Sequence, residues 1–307
     1  LDSSLITAIT ASFPEIKETL QCFSIGLKNS VDVEASKKVI KHIGLRPDQH
    51  HIITFTVEEG LEVIKEVIYR LETYDITTIR ASVPQYLLSK YVKENTNVKV
   101  LLSGEGADEL FCGYQYSKNA PNFEELRKDS NRLLKELYMF DNLRTDRTIS
   151  GWGLEVRTPF LEKNLVKYVL SLHPEYRMCG GGYGIEKKLL RDSFKNTNLL
   201  PDEILYRNKE AFSDAVSSKK ESWYKNIVEK VENLYTDEEF YNLQREFKIN
   251  PPPSKEALYY RLIFKELFPG RDDVIKHYWL PSWCNTNDPS ATVLNVHEGD
   301  LKIENLG

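Results

Sequence analysis

The strongest constraint on the fold is an alternation of short apolar runs with helix-length segments. It leads into the stretch VKVLLSGEGADELFCGYQY, from Val98 to Tyr116. Val98, Val100, Leu101 and Leu102 predict one buried strand. Ser103-Gly104-Glu105-Gly106 stops the run, its glycines permitting a tight turn and close approach by a ligand. Ala107-Asp108-Glu109-Leu110 then opens a helix. A strand, a glycine turn and a helix N-terminus in that order offer free N–H groups to an anion. Glu105, Asp108 and Glu109 stand at the same place, so a phosphate is expected there only with a divalent cation, magnesium, in between. Taken alone, the stretch reads equally well as a tight turn with a solvated acidic helix start.

Upstream, Leu1-Asp2-Ser3-Ser4 caps a helix carrying Leu5, Ile6, Ala8 and Ile9. Residues 21–27 predict a strand, 32–43 a helix closed by Gly44 and Pro47, and 51–55 a second strand. Thr56 and Glu59 form a capping box ahead of the stripe Leu61, Ile64, Ile68 and Leu71. A further helix over 81–93 precedes Val98. Strands separated by such helices require right-handed crossovers, so the fold class is α/β with a doubly wound parallel sheet. Ligands of such sheets lie at the carboxyl ends of the strands, where Ile25-Gly26 and Ser103-Gly104 fall. After Tyr116, helical spacing governs 123–138, 161–172, 185–194, 222–231 and 255–267, and no strand is expected. Pro251-Pro252-Pro253 is a rigid connector.

Of the 307 residues, 41% are hydrophobic and 28% charged, as in an ordinary globular protein. The net charge is −5 and no Lys/Arg block stands out, which argues against nucleic acid or an anionic membrane as partner. No apolar run reaches the about 20 residues of a membrane span. Cys22, Cys112, Cys179 and Cys284 are scattered without a CxxC pair, which fits a reducing, cytoplasmic setting rather than zinc or disulfides. Leu1 opens no signal-peptide pattern. Lys187 and Lys188 sit near a helix start, against its dipole, and invite a functional explanation. Arg80, Arg144, Asp146, Arg147, Arg207 and Glu210, taken singly, read first as ion pairs on solvated helix faces. His42, His50 and His51 lack metal-ligand spacing and read as surface residues. No Ser–His–Asp order or nucleophilic cysteine can be singled out.

Ser103 to Glu109 with Glu72-Thr73-Tyr74-Asp75 resembles the synthetase domain of the glutamine-hydrolysing asparagine synthetases. Gly153 to Arg157, Gly184 to Lys187, Arg207 to Asp214, Tyr259-Tyr260-Arg261, Pro269-Gly270-Arg271, His277-Tyr278-Trp279 and Asp288-Pro289-Ser290 extend the likeness over residues 1–292. It is closest to the eukaryotic type. The resemblance implies a sheet of the ATP-pyrophosphatase type with a large helical extension. Residues 1–120 would form the α/β nucleotide-binding core, 121–292 the helical part and 293–307 a flexible tail.

The family's chemistry, by the same resemblance, is ATP-dependent adenylation of the aspartate side chain. Pyrophosphate is released, and ammonia then displaces AMP from β-aspartyl-AMP. Ile25, Ser103, Gly104, Asp2, Ser3 and Ser4 match nucleotide contacts, and Asp2 and Asp108 match magnesium ligands. Lys187 matches a catalytic lysine, and Glu105 a residue needed for the intermediate that can later serve as general base. Asp75, Arg157 and Lys209 match substrate- and loop-positioning places. Small molecules (aspartate, ATP, ammonia or glutamine) are the implied partners, and the family allows a homodimer of the full-length enzyme.

Several residues depart from the family pattern. Its pyrophosphate loop reads Ser-Gly-Gly-Leu-Asp-Ser-Ser after a strand, and this chain starts at the leucine. The first strand of the sheet and the amino-terminal glutaminase domain are therefore expected in a longer protein, and adenylation by these 307 residues alone is expected to be impaired. Glu162 stands where Asp is usual, and Ala215 where Gly usually follows Phe-Ser-Asp. Two alternatives remain beside asparagine synthesis. β-Lactam-forming synthetases carry tyrosine at the place of Glu105, and a non-catalytic nucleotide-binding relative would show no thermal response to ATP and magnesium.

Overall fold

The computed structural model describes residues 1–177, 184–209, 212, 216–217, 222–284 and 289. Cys179, most of the glycine turn that opens at Gly180, Glu210, Ala215, Asp288, Ser290 and the 293–307 tail lie outside the described residues. Among the described residues no helix is long and apolar enough to cross a membrane.

The fold is mixed α/β with parallel strands. β1 (Cys22–Gly26) pairs in parallel with β2 (His50–Thr54), in register from Cys22–His50 to Gly26–Thr54. β3 (Val100–Leu102) pairs in parallel with β4 (Glu155–Arg157), with Leu101 opposite Val156. The expected single sheet is thus observed, among the described residues, as two separate two-stranded parallel sheets. The expectation of no strand after Tyr116 also fails, at β4. Glu-Val-Arg is too short and too polar to show a two-residue period, and only its ladder with β3 makes it a strand. Nor is β3 fully buried. Leu101 joins Val92, Ile149, Leu154 and Val156 in a small core, while Val100 and Leu102 on the other face are 38% and 44% exposed.

The helices that matter for the site are α1 (Asp2–Ala11), α2 (Val31–Ile43), α3 (Ile64–Leu71), α4 (Ile76–Asn95), α5 (Ala107–Phe111) and α6 (Phe123–Glu136). They continue with α7 (Asp141–Ser150), α8 (Lys163–Ser171), α9 (Lys188–Phe194), α10 (Trp223–Glu232) and α11 (Lys255–Leu267). Caps read from the sequence recur in space. The Thr56–Glu59 capping box is present in both directions, and Gly44 closes α2 in the left-handed conformation at φ +68°. α7 has no counterpart in the sequence reading, because its buried residues are Arg144, Thr145, Thr148 and a single aliphatic one, Ile149, rather than an apolar stripe.

The largest core packs Ile64, Val67, Ile68 and Leu71 of α3 on Ile76, Ile79 and Val83 of α4, with Trp223, Ile227, Tyr260 and Phe264 from α10 and α11. A second core decides the site. Leu5, Ile6 and Ala8 of α1 pack with Ala107, Leu110 and Phe111 of α5, Leu190 of α9 and Phe160. Each fully buried aliphatic side chain there contributes roughly 1.5–3 kcal/mol. The packing brings the N-terminal ends of α1, α5 and α9 together. Leu110→Ala should cost about 2–5 kcal/mol, read as a lower denaturant midpoint at unchanged slope, because the residue is completely buried among these helices.

Candidate active site

Three helix starts and one loop converge on Asp108, in the first turn of α5. Lys187, the residue before α9, is only 2% exposed and places its Nζ against Asp2 Oδ2 and within 2.8 Å of Asp108 Oδ1. Lys209 Nζ donates to Asp108 Oδ2 at 2.9 Å. Burial disfavours the ionised form of Asp108, but the charges of Lys187 and Lys209 outweigh it and hold the carboxyl well below the usual carboxylate range. Burial likewise opposes the charge on Lys209, and Asp108 with Asp2 more than restores it, raising its pKa.

Close approach is built in by glycine. A Cβ on Gly104 would lie 2.8 Å from both Asp2 Cβ and the Ser3 nitrogen, so only glycine lets the turn touch the start of α1. A Cβ on Gly113 would fall 2.1 Å from Lys187 Cε and 2.2 Å from Asp108 Oδ1. Lys187 itself sits at φ +55°, a left-handed conformation that costs a non-glycine residue about 1–2 kcal/mol.

Beside this tetrad, Glu105 Oε1 accepts a hydrogen bond from Arg144 Nη2 at 2.9 Å, and the same nitrogen donates to Asp141 Oδ1 at 2.8 Å. The Tyr114 hydroxyl donates to Glu109 Oε1 at 2.6 Å and lies 3.4 Å from Asp141 Oδ2. Burial raises the Glu105 pKa, opposed by Arg144 and helped by Asp141. The Glu109 carboxyl is pushed up to about 8 by burial first, then by the negative charges of Asp141 and Asp108. Between the ordinary carboxyl range and pH 8 the folded chain therefore holds a proton that the unfolded chain has released. Stability falls as pH rises through that window. Glu109→Gln should flatten the decline between pH 5 and 8 by a few kcal/mol, read from urea unfolding at each pH.

The sequence candidates divide into two groups. Asp2, Asp108, Lys187 and Lys209 are brought together, with Gly104 against Asp2 and Ser3. Glu105 reaches Arg144 in the adjoining network. Ile25, next to last in β1, is a core residue, and the Ser103 nitrogen donates to the Arg157 carbonyl at 2.9 Å while its Oγ accepts from the Glu105 nitrogen at 3.3 Å. Ser4 follows in the first turn of α1, and the Ser3 carbonyl accepts from Thr7 Oγ1 at 2.9 Å. Arg157 and Asp75 are not drawn in. The Arg157 side chain is 63% exposed and pairs with Glu155 at 2.7 Å. Asp75 is fully buried as the cap of α4, accepting from Thr78 and from the Trp279 nitrogen at 2.8 Å. His50 and His51 are not surface residues either. They are half-buried on β2, His50 Nε2 meeting Ser24 Oγ at 2.9 Å and His51 stacking on Phe23. Asp141 and Tyr114 were missed, since only tertiary contacts tie them to Glu105 and Glu109.

Asp2 Oδ1 is buried and accepts no hydrogen bond, and Asp108 Oδ1 is buried with the Lys187 ammonium group 2.8 Å away. Two such oxygens suit a hard divalent cation. Among the described residues no group of three or more His, Cys, Asp or Glu is placed for a metal, so the rest of the coordination would have to come from a bound ligand and water.

The sequence pattern of the family described as "Asparagine synthase" matches residues 1–133 and 118–287. A probable asparagine synthetase [glutamine-hydrolyzing] of Acanthamoeba polyphaga mimivirus is 51% identical over 298 residues, covering 96% of this chain and 53% of that protein. The asparagine synthetases [glutamine-hydrolyzing] of Cricetulus griseus and Homo sapiens are each 48% identical over 307 residues, covering 98% of this chain and 54% of theirs. The chain spans about half the length of the curated relatives it matches.

Proposed function

The chain belongs to the asparagine synthase family, and from that premise we propose that it binds ATP with magnesium and activates the side-chain carboxylate of aspartate for amide formation. The observation that carries the reading is the convergence of Lys187 and Lys209 on Asp108, with Asp2 alongside, at the carboxyl end of β3. Attack of a carboxylate on a phosphate brings anion to anion, so cations must be fixed in place before the reactants arrive.

In the proposed reaction an aspartate carboxylate oxygen attacks the α-phosphorus of ATP and pyrophosphate leaves. Ammonia then attacks the acyl carbon of β-aspartyl-AMP, AMP leaves, and one proton is lost from nitrogen. Lys187 and Lys209 would turn their ammonium groups from Asp108 to the polyphosphate. Asp2 and Asp108 would hold magnesium, whose charge screens the phosphates when it is bound. Glu105, its pKa raised by burial, would accept the proton from the attacking nitrogen. The relatives' names specify glutamine hydrolysis. Glutamine is accordingly our reading of the nitrogen source in the whole protein, with ammonia as the species reaching this domain. Free thiols at Cys22, Cys112 and Cys284 support a cytoplasmic setting.

The test is aspartate-dependent ATP–pyrophosphate exchange, followed by ammonia-dependent appearance of asparagine with equal amounts of AMP and pyrophosphate. Exchange without aspartate dependence would refute the proposal. A cyclised product in place of asparagine would point to the β-lactam-type alternative.

A further inference from the structure

Behind the two lysines lies a carboxylate that the proposed chemistry does not touch. Glu186 is completely buried, and its oxygens are shared among three segments. Oε1 accepts from Arg191 Nη2 at 2.5 Å and from the Lys209 backbone nitrogen at 2.7 Å, while Oε2 accepts from Gln115 Nε2 at 3.2 Å. Arg191, equally buried, closes the tie by donating from Nε to the Glu186 carbonyl at 2.7 Å and from Nη1 to the Leu205 carbonyl. The peptide that carries Lys187, the loop that carries Lys209 and the turn after Gly113 therefore meet at one side chain.

Two features separate this arrangement from an ordinary buried ion pair. The first is the left-handed backbone of Lys187, immediately after Glu186. Such a conformation persists only where the surroundings over-determine it, and the Arg191 hydrogen bond to the Glu186 carbonyl pins the preceding peptide. The second is that Glu186 takes the backbone amide of Lys209 itself, while the Nζ atoms of Lys209 and Lys187 meet on the same Asp108. We propose that Glu186 is a positioning residue that sets the spacing of the Lys187 and Lys209 ammonium groups, so that both reach one polyphosphate. The inference rests on the nucleotide reading above.

Glu186→Asp keeps a negative charge opposite Arg191 but shortens the reach to the Lys209 amide by one methylene. The affinity of the purified protein for magnesium–ATP, measured by calorimetry, should fall about 10-fold, within the range seen when a supporting partner of a bound group is lost. Gln115→Leu leaves both charges in place and frees only Oε2, and should weaken binding in the same direction by less. The comparator is Arg261→Met, which removes a guanidinium buried as fully and paired with Asp272 at 2.9 Å in another part of the fold. It should lower the melting temperature and leave magnesium–ATP affinity unchanged. Unmodified affinity in Glu186→Asp, or an equal loss in Arg261→Met, would overturn the positioning role. A parent protein that binds no magnesium–ATP would instead remove the nucleotide reading on which that role depends.

Discussion

Glu105→Gln is expected to bind magnesium–ATP like the parent protein and to lose about 10²–10⁴-fold in asparagine formation. The substitution keeps the shape of the side chain and can keep a hydrogen bond from Arg144, which also holds Asp141. What disappears is the negative charge, and with it the capacity to take a proton from the attacking nitrogen. Burial already raises the pKa of this carboxyl, so the parent side chain is better matched to a proton acceptor near neutral pH than an exposed glutamate would be. Exchange should fall as well if, as proposed, the acyl adenylate forms beside this carboxylate. A calorimetric titration beside an exchange assay separates the two effects. Parent-like exchange together with parent-like asparagine output would remove Glu105 from the mechanism.

The other large effect concerns Lys187. Lys187→Met retains much of the side-chain volume but leaves Asp2 and Asp108 facing each other without the ammonium group between them. Exchange should drop by about 10²–10³-fold, the cost of losing one fixed charge aimed at a developing anion. Lys209→Met should cost less, because Lys209 bonds one of the two acids and Lys187 meets both. Lys187→Arg should fail to rescue. Gly113 passes so close that a single added Cβ would lie 2.1 Å from Lys187 Cε, which leaves no room for a planar guanidinium. Single-turnover exchange for the three variants gives the ranking, and a rescued arginine variant would show that charge alone matters at this position.

Much of this site was legible before any coordinates. The turn Ser103 to Gly106 with Asp108 behind it, and a lysine placed against a helix dipole, are local signals carried by neighbouring residues. Their meeting point was not legible. Asp2, Asp108 and Lys187 lie far apart in sequence and are joined by the shared packing of α1, α5 and α9, while the loop of Lys209 is tied in through its amide on Glu186. The Glu105–Arg144–Asp141 network was hidden for a related reason. α7 buries Arg144, Thr145 and Thr148 with only Ile149 beside them, so its inner face is mostly polar and leaves no apolar stripe to count. β4 escaped because three residues cannot display a period, and its partner lies more than fifty residues upstream. The parallel pairing of β1 with β2 agrees with the helix expected between them, whereas the pairing of β3 with β4 was not foreseen. Continuity of the sheet was inferred incorrectly, because hydrophobic runs report that a strand exists and say little about which neighbour it finds.

The tetrad at Asp108 is self-neutralised, two carboxylates against two ammonium groups. A lone divalent ion coming in would have to displace the lysines from the carboxylates and leave them unpaired, and a bare polyphosphate would do the same to the aspartates. What the pocket can admit without an uncompensated charge is a preformed ion–counterion couple, each half swapping places with a resident partner. On the function proposed above, metal and nucleotide would therefore bind more tightly as a couple than either would alone.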